Sequence, residues 1–79
     1  MSNYHTKIVV QRTGSGAVKG IIVRLGFESF LGGGMTPEIR TDANGVAIIS
    51  HTSKGTATLY VDGKKLHKIT TPCEEYVMI

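Results

Sequence analysis

Ile21, Val23, Leu25 and Phe27 fall on alternate positions of one continuous run, with Ile22, Arg24 and Gly26 between them. Side chains of an extended backbone point alternately to its two faces. The run therefore has one wholly apolar face and one mixed face, as a strand half-buried against a second layer requires. The same rhythm constrains the rest of the chain. No window places apolar residues at i, i+3, i+4 and i+7 between capping signals, and glycine interrupts every long one.

Short runs rich in Ile, Val, Thr and Tyr predict strands at 6–12, 19–27, 38–41, 46–51, 56–61, 64–70 and 75–79. The residues between them are turn formers with a mechanism. Asn44 and Gly45 tolerate positive φ, and Asp42 can bond the backbone two residues on. Asp62-Gly63 is the strongest hairpin signal, because a two-residue Asp-Gly loop matches the twist of its flanking strands. Pro37 restricts the third strand to the residues after it. Seventy-nine residues make one domain, 1–79, with a thin core. The expectation is an all-β fold: a seven-stranded antiparallel or mixed β-sandwich, Ig-like or prealbumin-like.

Charge and cysteine usage narrow the partner classes. Nine Lys/Arg against six Asp/Glu give a net charge of +3. The basic residues are scattered, and only Lys64, Lys65 and Lys68 cluster, with Glu74 and Glu75 close behind in sequence. Solvated strand faces and a guarded sheet edge account for them, so nucleic acid is not the expected partner. The single cysteine, Cys73, cannot form an intramolecular disulfide. No apolar run is long enough to span a membrane and no signal peptide is visible, so the chain is expected to be cytoplasmic as synthesised, with export by a route needing no cleavable signal left open.

Three stretches, 17–25 (AVKGIIVRL), 41–49 (TDANGVAII) and 55–61 (GTATLYV), resemble the transthyretin-like domains, also called prealbumin-like or carboxypeptidase-regulatory-like, which sit near the bacterial Ig-like modules. The likeness covers roughly residues 6–62, and its motifs are structural. It departs from the family at Ala17, where a proline is usual, and at the Asp62-Gly63 hairpin. The resemblance implies a sandwich used as an accessory, adhesive or scaffold module, in some members as a docking piece of secretion machinery. Enzymatic relatives hydrolyse 5-hydroxyisourate with histidines and an arginine, and carry a Tyr-Arg-Gly-Ser ending that this chain lacks.

Chemistry-bearing patterns are weak. His5, His51 and His67 have no spacing that pairs a base with a nucleophile or builds a metal site, and surface histidines are the expected reading. Asp42-x-Asn44-Gly45 lacks the distal ligands of a calcium loop. Gly14-x-Gly16-x-x-x-Gly20 precedes a strand where a dinucleotide fingerprint needs a helix, and Gly32-Gly33-Gly34 lacks the lysine of a P-loop. Cys73 neighbours Glu74 and Glu75, which disfavour its thiolate. No catalytic, cofactor or metal residue is therefore expected. The partner-binding candidates are Phe30, Leu31 and Met35, large apolar side chains on a glycine-rich loop.

These readings favour a non-catalytic binding or assembly module with a protein partner, engaged through a sheet edge or that loop, with homo-oligomer formation left open. A carbohydrate-binding module and a 5-hydroxyisourate hydrolase are the alternatives.

Overall fold

The computed structural model describes residues 4–27, 34–52 and 54–79. They form eight strands and no helix: β1 Tyr4–Arg12, β2 Gly16–Ala17, β3 Ile22–Phe27, β4 Ile39–Arg40, β5 Val46–His51, β6 Gly55–Val61, β7 Lys64–Thr71 and β8 Glu74–Met78. All seven expected runs are strands. The eighth, β2, pairs back on the end of β1 through Gln11 with Ala17 and Arg12 with Gly16. The all-β expectation holds, and two sheets pack face to face.

In the first sheet β1 is central. It pairs antiparallel with β5 from Tyr4 opposite His51 to Val9 opposite Val46. It pairs parallel with β8 from Lys7 beside Glu74 to Gln11 beside Met78. The second sheet has the order β4-β3-β6-β7, antiparallel throughout. The inward faces meet in one core of Ile8, Val10, Val23, Leu25, Ala47, Ile49, Ala57, Leu59, Val61, Ile69 and Val77. Ile8, Leu25, Ile49 and Leu59 have no exposed surface. Each such side chain contributes about 1.5–3 kcal/mol by leaving water.

The corners close as their residue types require. Asp42 Oδ1 accepts from the Asn44 and Val46 N–H groups at 2.8 and 3.0 Å, and Gly45 sits at φ +75°. Asp62 and Gly63 both adopt positive φ, 54° and 77°, the backbone of the two-residue hairpin that suits twisted strands. Threonine hydroxyls replace missing ladder bonds between elements. Buried Thr41 donates to Val18 O at 2.6 Å and accepts from Ile21 N at 3.0 Å. Thr36 accepts from Leu25 N at 2.9 Å, and Thr71 donates to Gly55 O at 2.8 Å.

Two local expectations are corrected. The strand expected from residue 19 begins at Ile22, because Gly20 at φ +82° turns the chain and bonds Thr41 O instead of a strand partner. His51 was expected on the surface and is 93% buried, since its register opposite Tyr4 aims it inward.

β6 and β7 are joined by an irregular ladder. Thr58 opposes Lys68 while Tyr60 opposes Lys65, so two steps along β6 match three along β7. That is a β-bulge, and it inserts one extra residue into the edge strand β7.

Candidate functional site

The outward positions of the two sheets differ in chemistry. On the first sheet, register places Val9 between Val46 on β5 and Tyr76 on β8, with Ile48 and Met78 on the same side. Val9 points away from the core cluster yet is buried. Ile48, Tyr76 and Met78 are 48%, 64% and 62% exposed. They form an apolar face across three strands, a feature larger than the scattered single hydrophobes normal on a surface. Its charges are balanced. Lys7 lies 3.8 Å from Glu74, and the Tyr76 hydroxyl donates to the same carboxylate. That hydrogen bond and the Glu74 charge push the Tyr76 phenol above its usual value.

On the second sheet the outward residues are Arg40, Ile22, Arg24, Gly26, Thr56, Thr58, Tyr60, Lys65, Lys68 and Thr70 by the same register argument. Arg24, Tyr60 and Lys65 stand in one cross-strand row. The Tyr60 ring leans over Gly26, so that a Cβ there would meet Tyr60 Cε2 at 3.0 Å. Arg24 Nε donates to Thr36 O at 3.3 Å and Arg40 Nη1 to Gly20 O at 3.4 Å. A hollow of about 260 Å³ beside Tyr60 is lined by Ile22, Arg24, Met35, Glu38, Tyr60 and Gly63.

The sequence-based candidates fall as follows. Phe30 and Leu31 lie outside the described residues. Met35 is 47% exposed, bridges Gly26 and borders the hollow. The three histidines occupy three environments. His51 Nε2 is 2.7 Å from Thr6 Oγ1, with its ring against Tyr4 and Phe27 at centroid distances of 6.0 and 5.1 Å. His5 faces outward and bonds Ser50 at 3.0 Å, and His67 on β7 bonds Glu75 at 2.8 Å. Among the described residues no three His, Cys, Asp or Glu side chains are grouped to hold a metal ion. Partial burial, and then the Glu75 charge, push the Cys73 thiol up, which leaves it a poor nucleophile near neutral pH.

Neither face follows from the inward-pointing residues alone. For the first sheet the signal was present: Val9, Ile48, Tyr76 and Met78 are apolar at positions where period two points away from the core. For the second sheet it was hidden, because the bulge in β7 changes which lysines share a face.

Comparison of the chain with protein-family models, with curated proteins and with solved structures yields no match.

Proposed function

We propose that this chain is a non-catalytic binding or assembly module that acts through protein–protein contacts made by the outer face of the β5-β1-β8 sheet. The observation that carries the reading is the apolar cluster of Ile48, Tyr76 and Met78 around Val9, on a face with one exposed ion pair. Burying such a patch removes it from water at about 25 cal/mol per Å², and the occupant it fits is a protein surface with a matching apolar centre. The separation of His5, His51 and His67 into different environments favours binding over hydrolysis. The transthyretin-like resemblance belongs to the same reading. Its Asp42–Gly45 corner closes the connection from β4 to β5, and its alternating residues on β3 and β6 supply five of the eleven core side chains.

The test is a double variant, Ile48→Lys with Met78→Lys, compared with the wild type by light scattering across concentration and by cross-linked pull-down. Both side chains are exposed, so circular dichroism should not change. The expected result is a self-associated species, or a specific retained protein, that the wild type shows and the variant loses. A wild type that stays monomeric and retains the same proteins as the variant overturns the reading.

A further inference from the structure

We infer that the hollow beside Tyr60, on the outer face of the β4-β3-β6-β7 sheet, is a binding site for a free α-amino acid with an apolar side chain. It lies on a different sheet from the apolar face around Val9 and does not depend on it.

Two opposite charges border the hollow without meeting. The register that pairs Ile22 with Arg40 and Val23 with Ile39, carried one step further, sets Glu38 opposite Arg24. Residues so opposed hold their Cβ atoms about 5 Å apart, and long side chains of opposite charge can pair at that spacing. These two do not. Among the described residues Glu38 has neither an ion pair nor a hydrogen bond, and Arg24 turns its Nε to Thr36 O at 3.3 Å. Both side chains line the hollow of about 260 Å³. The Nη groups of Arg24 are left to donate to a carboxylate, and the Glu38 oxygens to accept from an ammonium.

Charge selects the ligand. A simple anion would meet Glu38, a simple cation would meet Arg24, and a neutral molecule would strip water from both charges and return nothing. A zwitterion satisfies both. Because Arg24 and Glu38 stand at opposed positions, the two charges of the ligand must also lie close together. A free α-amino acid carries them on one carbon, whereas a polypeptide carries them on separate side chains. Size agrees, since the hollow is smaller than the roughly 300–1,000 Å³ of sites for drug-sized ligands and takes one small molecule. The remaining walls fit the side chain of that molecule. Ile22 and Met35 are apolar, and the half-buried Tyr60 ring leans over Gly26, where a Cβ would meet its Cε2 at 3.0 Å. An apolar group seated there leaves water on several sides at once. Met35 is 47% exposed and unbranched, so it can follow side chains of different shape.

The test is a titration of the ¹⁵N-labelled protein with L-leucine, followed by amide chemical shifts. Two analogues each lack one charge: 4-methylpentanoate has no ammonium and 3-methylbutylamine no carboxylate. Glycine lacks the side chain. Leucine should bind with a dissociation constant on the order of 0.1–1 mM and shift the amides of Ile22, Arg24, Met35, Glu38, Tyr60 and Gly63 most. Each analogue, and glycine, should bind at least about threefold more weakly. Arg24→Gln should weaken leucine binding about tenfold or more and abolish its advantage over 3-methylbutylamine. Glu38→Gln, at an exposed position, should cost about threefold or more and abolish the advantage over 4-methylpentanoate. Arg12→Gln makes the same charge change as Arg24→Gln on the first sheet, beside Gly16, and should leave affinity within about twofold. The analogue comparison uses the wild type, so it decides the carboxylate contact even if Arg24→Gln does not fold. The proposal is overturned by any of three results: no saturable shift with leucine, shifts centred away from the hollow, or either single-charge analogue binding the wild type as tightly as leucine.

Discussion

Val10 and Gly45 meet backbone to backbone. The Val10 N–H donates to Gly45 O at 2.7 Å, while the Gly45 Cα lies so close to the Val10 carbonyl that a Cβ there would overlap its oxygen. Val18 N donates to the same Val10 carbonyl at 3.2 Å. One glycine thus joins the end of β1, the strand after the Asp42 corner and the return from β2.

Replacing Gly45 by Ala should therefore be costly for two reasons. The left-handed backbone alone costs on the order of 1–3 kcal/mol for a residue with a Cβ, and the overlap with Val10 adds to it. Gly14→Ala isolates the first effect, since Gly14 has φ +84° and nothing within 4 Å of a new Cβ. Urea unfolding should show a clearly larger loss for Gly45→Ala than for Gly14→Ala. Equal losses would mean that the close approach is relieved without cost.

Thr41 and Thr36 are buried and stitch irregular segments onto β3. Thr41→Val removes an acceptor from Ile21 N and a donor to Val18 O while keeping the shape of the side chain. The expected loss is about 1–3 kcal/mol, the cost of stranding a buried polar group. The readout is the denaturation midpoint, accompanied by faster hydrogen exchange at the Ile21 amide. Thr56→Val, on the exposed side of β6, should stay within about 0.5 kcal/mol of the wild type.

Ile48 and Ile49 are adjacent and should respond oppositely. Ile49 is fully buried, and Ile49→Ala should cost about 2–5 kcal/mol through lost packing and the cavity left behind. Ile48→Ala should shift stability by no more than about 0.5 kcal/mol, because that side chain is half exposed on the outer face. Thermal melts at low protein concentration check the pair. A large effect at Ile48 under those conditions would show that it packs within one chain rather than waiting for a partner.

Cys73 supplies the pH prediction. Burial, then the Glu75 carboxylate, raise its pKa above the ordinary thiol value, so the folded protein holds the proton more tightly than the unfolded chain does. That contribution to stability is fully present below the unfolded-state pKa and is lost as pH rises through the higher folded-state value. Alkylation by iodoacetamide should be slower than for an unfolded control near neutral pH, and should speed up in Glu75→Gln. No change in that variant would leave burial as the whole cause.

The positions of the strands were legible in the sequence because alternation and corner residues act locally. Ile21, Val23, Leu25 and Phe27 had one face in common whatever they packed against, and Asp62-Gly63 closed its hairpin with the expected left-handed pair of residues. The short strand β2 was not legible, since two residues carry too little pattern to show a period. The fate of His51 was not legible either. Its burial follows from the pairing of β5 with β1 in a register that sets it opposite Tyr4, a contact between residues far apart in the chain.

By itself the sequence determined an all-β chain, the runs that become its main strands and the apolar face of the run from Ile21 to Phe27, because period two and turn chemistry depend only on neighbouring residues. The tertiary structure decided what the outward sides do. It set β8 parallel against β1, which assembled Ile48, Tyr76 and Met78 around Val9. It added one residue to β7, which turned Lys65 and Lys68 to the same side as Arg24 and Tyr60. Register between distant strands fixes which outward side chains become neighbours, and no local pattern encodes it.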